Sequence, residues 1–92
     1  AGPAVRLLGF SSSIILKMNV EKALRRLGVT AAVEVADIGT ARGAAAGADL
    51  VVTSGELAPQ LGEVKARIVV IDNFVNVDLI TTSLADALRE AG

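Results

Sequence analysis

Ninety-two residues, 52% of them apolar and only 2% aromatic, suit one domain whose core is packed from Ala, Val, Ile and Leu. With no cysteine and no histidine, neither a disulfide nor a zinc centre can staple it. Nine Lys and Arg against ten Asp and Glu, with no basic run and no aromatic platform for bases, speak against nucleic acid as a partner.

Ala4–Leu8, an apolar run broken by Arg6, predicts a first strand. Gly9, Phe10 and Ser11 read as a turn, and Ser12 or Ser13 caps a helix reaching about Leu27. Leu16, Val20, Ala23, Leu24 and Leu27 recur at helical spacing and face inward, with Lys17, Glu21, Lys22, Arg25 and Arg26 on the other side. Gly28 fits the C-terminal cap. Residues 31–36 form a second strand with Val33 and Val35 on one face, ended by Asp37, Ile38 and Gly39. The Ala-rich residues 40–46 predict a short helix, weakened by Gly43 and Gly47. Leu50–Thr53 is a third strand, and residues 56–61 are a weak helical segment limited by Pro59. Residues 67–71 form the fourth strand. Asp72, Asn73 and Phe74 follow as a loop, then a last helix over 78–89 with Ile80, Leu84, Ala87 and Leu88 inward.

Strands alternating with helices predict an α/β fold: a four-stranded parallel sheet with helices on both faces, Rossmann-like, joined by right-handed crossovers. Val51, Val52, Val69 and Val70 are expected to be buried in it. Residues 1–92 read as a single domain, with Ala1-Gly2-Pro3 as a tag remnant. The uncharged stretch between Arg6 and Lys17 is too short to span a bilayer. No leader pattern is visible, so direct membrane insertion is not expected and a cytoplasmic location is.

Ligands of such sheets sit beyond the carboxyl ends of the strands. Here those ends offer residues 9–13, 37–40, 53–56 and 72–76. Gly9, Phe10, Ser11, Ser12 and Ser13 are the candidate phosphate-binding residues. Free N–H groups and the helix dipole at a helix start favour an anion, and serine hydroxyls add donors. The plainer reading is that one serine caps the helix and the others are solvated. Thr53 and Ser54 either contact phosphate or close their strand. Asp72 and Asn73 either support the site or satisfy a turn. Met18 and Phe74 read as packing residues. No carboxylate pair, nucleophile–base pair or metal-ligand cluster is present, so no catalytic residue, metal or cofactor is assigned.

The run Ser12-Ser13-Ile14-Ile15-Leu16-Lys17-Met18-Asn19-Val20-Glu21-Lys22 resembles the helix start of the enzyme IIB components of the bacterial phosphoenolpyruvate-dependent sugar phosphotransferase system, ascorbate and galactitol type. That family carries a first strand, then C-G-x-G-x-G-S-S, then L-x-L-K-M-x-V-E-K. The likeness continues at Ala48-Asp49-Leu50-Val51-Val52-Thr53-Ser54, similar to A-D-I-I-V-T-S, and at Val69-Val70-Ile71-Asp72-Asn73-Phe74, similar to V-I-x-L-D-N-F. The resemblance implies a phosphotransferase. Its loop cysteine takes a phosphoryl group from a phosphohistidine on enzyme IIA and passes it to a sugar held by the membrane enzyme IIC. A thiol at a helix N-terminus is readily a thiolate, and the same N–H groups hold the phosphoryl oxygens.

The sequence departs from that pattern at the nucleophile, so the phosphocysteine loop is missing or altered. In one alignment Arg6 falls at the cysteine position, and a guanidinium is no phosphoryl acceptor. In the other, Gly9 to Ser13 match the loop's end and about five residues are lost after Leu8, leaving a connection within the usual range of about two to six. The resemblance therefore implies either a IIB relay component that is inactive as written, or a IIB-like interaction or regulatory module that is never phosphorylated. Lys17, Lys22 and Arg25 are candidates for steering an acidic partner.

Overall fold

A short aliphatic run is buried on both faces only inside a covered sheet, and the two most deeply buried strands of the chain take the middle places. The computed structural model describes residues 3–8, 13–36, 43, 47–62 and 64–91. In it β1 (Ala4–Leu8) and β3 (Leu50–Thr53) lie side by side, flanked by β2 (Ala32–Ala36) and β4 (Arg67–Val70). The order is β2-β1-β3-β4 and every pairing is parallel. All of β3 is buried. Edge strand β2 carries Glu34 at its centre, an exposed charge of the kind that discourages further strand pairing.

Successive side chains of a strand point to opposite faces, and that alternation sorts the core in two. Val5, Leu7, Leu50, Val52 and Val69 face two helices, α1 (Ser13–Arg26) and α2 (Val77–Ala91). There they meet Leu16, Val20, Ala23 and Leu24 of α1 and Ile80, Leu84 and Ala87 of α2. Leu8 and Val51 face the other way and pack on Ala66 and on Leu61 of a short 3-10 helix, Ala58–Leu61. The sheet thus has helices on both faces, as right-handed crossovers require when the chain steps one way from β1 and the other way from β3.

The helix ends are closed by local chemistry. Gly28 sits at φ 70°, where only glycine is at ease. Its N–H reaches the Arg25 carbonyl, and the Val29 N–H reaches Leu24, a Schellman closure with Leu24 and Val29 in the same core. Asn76 caps α2, its Oδ1 accepting from the Leu79 N–H at 3.1 Å while its carbonyl accepts from Ile80.

Some expectations are corrected. Val70 is not buried but 48% exposed, because it ends an edge strand on the face that α1 and α2 do not cover. Met18 is likewise exposed rather than packed, since it lies off the Leu16–Val20–Leu24 stripe of α1. Residues 56–61 fold as a turn and a 3-10 helix, which accepts Pro59 near its start, where the missing N–H costs no bond. β4 ends at Val70, although the Ile71 N–H still reaches the Thr53 carbonyl at 2.8 Å. The ending at 37–39 and the helix over 40–46 lie outside the described residues except for Gly43.

Leu84 is fully buried between α1 and the sheet, whereas Leu79, on the same helix, is 55% exposed. We expect Leu84→Ala to cost about 2–5 kcal/mol and Leu79→Ala to stay within about 0.5 kcal/mol of the parent. Urea midpoints at constant slope check both.

Candidate functional site

The strand order reverses between β1 and β3, since β1 is followed by β2 on one side while β3 and β4 lie on the other. In open parallel sheets the crevice above such a reversal is where ligands bind. Its floor is formed by the last residues of the two central strands, Leu8 and Thr53. From Leu8 the chain passes to Ser13, the first residue of α1. The first-turn N–H groups of a helix have no intrahelical acceptor, and α1 has no acidic side chain in its first turn to claim them. Of the candidate phosphate-binding residues, Ser13 is placed at this helix start. Gly9, Phe10, Ser11 and Ser12 lie outside the described residues.

The four residues considered as supports differ in what they do. Ser54 Oγ accepts from the Leu57 N–H at 3.3 Å and opens the turn before the 3-10 helix. Asp72 Oδ1 accepts from the Gly55 N–H at 2.9 Å, tying the segment after β4 to the one after β3. Asn73 Oδ1 accepts from the N–H groups of Val75 and Asn76, both at 3.1 Å, which sets up the start of α2. All three use an acceptor on a backbone N–H; for Ser54 and Asn73 it closes local backbone, as short polar side chains in turns do, while for Asp72 it joins two strand ends. Thr53 is different. It is fully buried and, among the described residues, its Oγ1 has no hydrogen-bond partner.

Arg6 does not sit at the crevice. It lies in the middle of β1, in register with Glu34 and Val51, and its Nη2 is 3.4 Å from Glu34 Oε2. The strand continues past it to Leu8. This placement fits the alignment in which the loop after Leu8 is short better than the one that sets Arg6 in the cysteine's place. The chain contains neither cysteine nor histidine. Among the described residues no group of three acidic side chains is placed to hold a metal ion. No helix among them is long and apolar enough to cross a membrane.

A surface feature was missed from the sequence. The exposed large apolar side chains among the described residues are Ile14, Ile15, Met18, Val35, Val70, Val75 and Leu79. Val35 and Val70 lie near the carboxyl ends of edge strands, and Ile14, Ile15, Met18 and Leu79 lie in the first halves of helices. Val75 lies between β4 and α2. Both helices follow their strands and run back along them, so all seven gather at the crevice end. A signal existed: residues 14, 15 and 18 fall outside the apolar stripe that α1 buries.

A family model described as "PTS system, Lactose/Cellobiose specific IIB subunit" matches residues 8–91. The chain is also similar to the "Ascorbate-specific PTS system EIIB component" of Mycoplasma pneumoniae, 32% identical over 81 residues, which cover 87% of this chain and 85% of that protein.

A buried hydroxyl without a partner carries its desolvation cost uncompensated. Thr53→Val, which keeps the shape and removes the hydroxyl, is therefore expected to raise stability by about 1 kcal/mol. Thermal unfolding measures it, and a fall in midpoint would show that the hydroxyl has a partner in solution.

Proposed function

Because the chain belongs to the phosphotransferase-system IIB family, we propose that it works on the plan of a cytoplasmic IIB component, docking between a phosphorylated enzyme IIA and a membrane enzyme IIC, and that as these 92 residues stand it does so without accepting phosphate. The observation that carries this reading is the pairing of a family match over residues 8–91 with the absence of cysteine. In the relay, a thiolate attacks the phosphorus of phosphohistidine, the P–N bond breaks and the imidazole leaves. Here no thiol is available. Ser11, Ser12 and Ser13 are poor substitutes, because a serine hydroxyl needs a base beside it to attack and the chain has no histidine.

The start of α1 at the reversal of strand order supports a phosphate-facing site made by Gly9, Phe10, Ser11, Ser12 and Ser13. Thr53 and Ser54 at the end of β3, and Asp72 and Asn73 after the end of β4, are its proposed supports. The Lys17-Met18-Asn19 run and the Mycoplasma relative support an ascorbate-type system. A second reading, a IIB-like module that only reports or regulates, is favoured by the same missing nucleophile.

The test is incubation with the general phosphotransferase enzymes, a matching IIA and labelled phosphoenolpyruvate. No stable label is expected on this chain. Label on Ser11, Ser12 or Ser13 would show that the hydroxyls suffice. A variant with the family's Cys-Gly-x-Gly-x segment inserted between Leu8 and Gly9 is expected to take label. Failure of that variant, folded and bound to IIA, would favour the regulatory module.

A further inference from the structure

The outward face of α1 changes character along its length. Its first half presents Ile14 at 75%, Ile15 at 49% and Met18 at 54% exposure. One and two turns further the same face presents Lys22 and Arg25, both exposed, with Arg26 beside them paired to Asp78. The chain as a whole has a net charge of −1, yet this helix holds Lys17, Lys22, Arg25 and Arg26 against Glu21 alone. Nothing in the packing of α1 requires the three apolar residues, because its buried stripe is complete in Leu16, Val20, Ala23 and Leu24. Exposed apolar clusters of this kind mark interaction surfaces. An apolar centre with charge at one end is the anatomy of a protein-docking face.

We propose that the outward face of α1 docks a partner protein whose surface offers an apolar patch bordered by carboxylates. The apolar patch covers Ile14, Ile15 and Met18, and the carboxylates meet Lys22 and Arg25. The commitment to an acidic partner rests on charge complementarity along this one helix. The identity of that partner as an enzyme IIA rests on the relay reading above. Apolar burial at the first half sets how long the complex lasts. The cations at the second half set how fast it forms and how strongly salt weakens it. The position also suits the chemistry, because the apolar half of α1 is the half that starts at the crevice.

The experiment titrates an enzyme IIA of the ascorbate type against the intact chain at two salt concentrations, with four variants. Ile14→Asp and Met18→Asp probe the apolar half, the double variant Lys22→Glu with Arg25→Glu probes the basic half, and Lys65→Glu at the opposite end of the sheet is the control. Each substituted side chain is exposed, so unchanged circular dichroism and urea midpoints are expected. The apolar variants should weaken binding about tenfold or more through faster dissociation. The charge-reversed variant should slow association and flatten the salt dependence, and Lys65→Glu should change neither. If IIA binds the parent and these variants alike, the docking face is wrong while the relay reading stands. If IIA does not bind the parent, both fall. Parent chains that self-associate and separate on Met18→Asp would assign the face to a second copy of this chain and overturn the proposal.

Discussion

Leu7 lies opposite Val52 across the central strand pair, and neither is reached by solvent. Placing β1 and β3 together requires cover on both sheet faces, because apart from Arg6 and Thr53 their side chains are apolar in both directions: Val5, Leu7, Leu50 and Val52 toward the helices, Leu8 and Val51 away from them. That cover is supplied by the segments that follow the strands, α1 and the 3-10 helix between strands and α2 after the last one, and parallel strands need long joins. The same pairing then sets the strand order and the place where it reverses. The position of the site is thus a by-product of which two strands are the most deeply buried.

That dependence explains what could be read in advance. β1 and β3 were placed to the residue, because a short aliphatic run bounded by polar residues has little freedom in where it starts. The inward stripes of α1 and α2 followed from helical spacing. Val70 failed because periodicity says that a side chain alternates between faces and not whether the face it meets is covered. Met18 failed because an unbranched apolar side chain suits a core and a contact surface equally. At the site, residue type alone leaves Ser54, Asp72 and Asn73 open between a ligand and a turn; Ser54 and Asn73 bond N–H groups of their own turns, while Asp72 bonds Gly55 across from the end of β3. The segment over 37–46 and residues 9–12 carry expectations that lie outside the described residues.

The chain keeps the sheet order and the helix start of a IIB-family fold and contains no cysteine. These two properties have different physical origins. The sheet order and the helix start are held by burial distributed over many side chains along the whole sheet. A nucleophile contributes almost nothing to that burial, so its loss leaves the architecture intact. Partner binding is likewise a property of surface shape and charge. Recognition and chemistry are therefore separable in this fold.

Phe74 joins several of these elements. Its ring packs against the main core, and its carbonyl accepts a hydrogen bond from the Asn19 side-chain amide of α1, two residues before Asn76 caps α2. The chain has no tryptophan, no tyrosine and two phenylalanines, so it scarcely absorbs at the wavelengths used to follow most proteins. It is optically dark, and the position where α1, α2 and the sheet meet is aromatic already. A tryptophan at residue 74 would be the chain's lone fluorophore, and its emission would track the seam between the two helices with no background from the rest of the molecule.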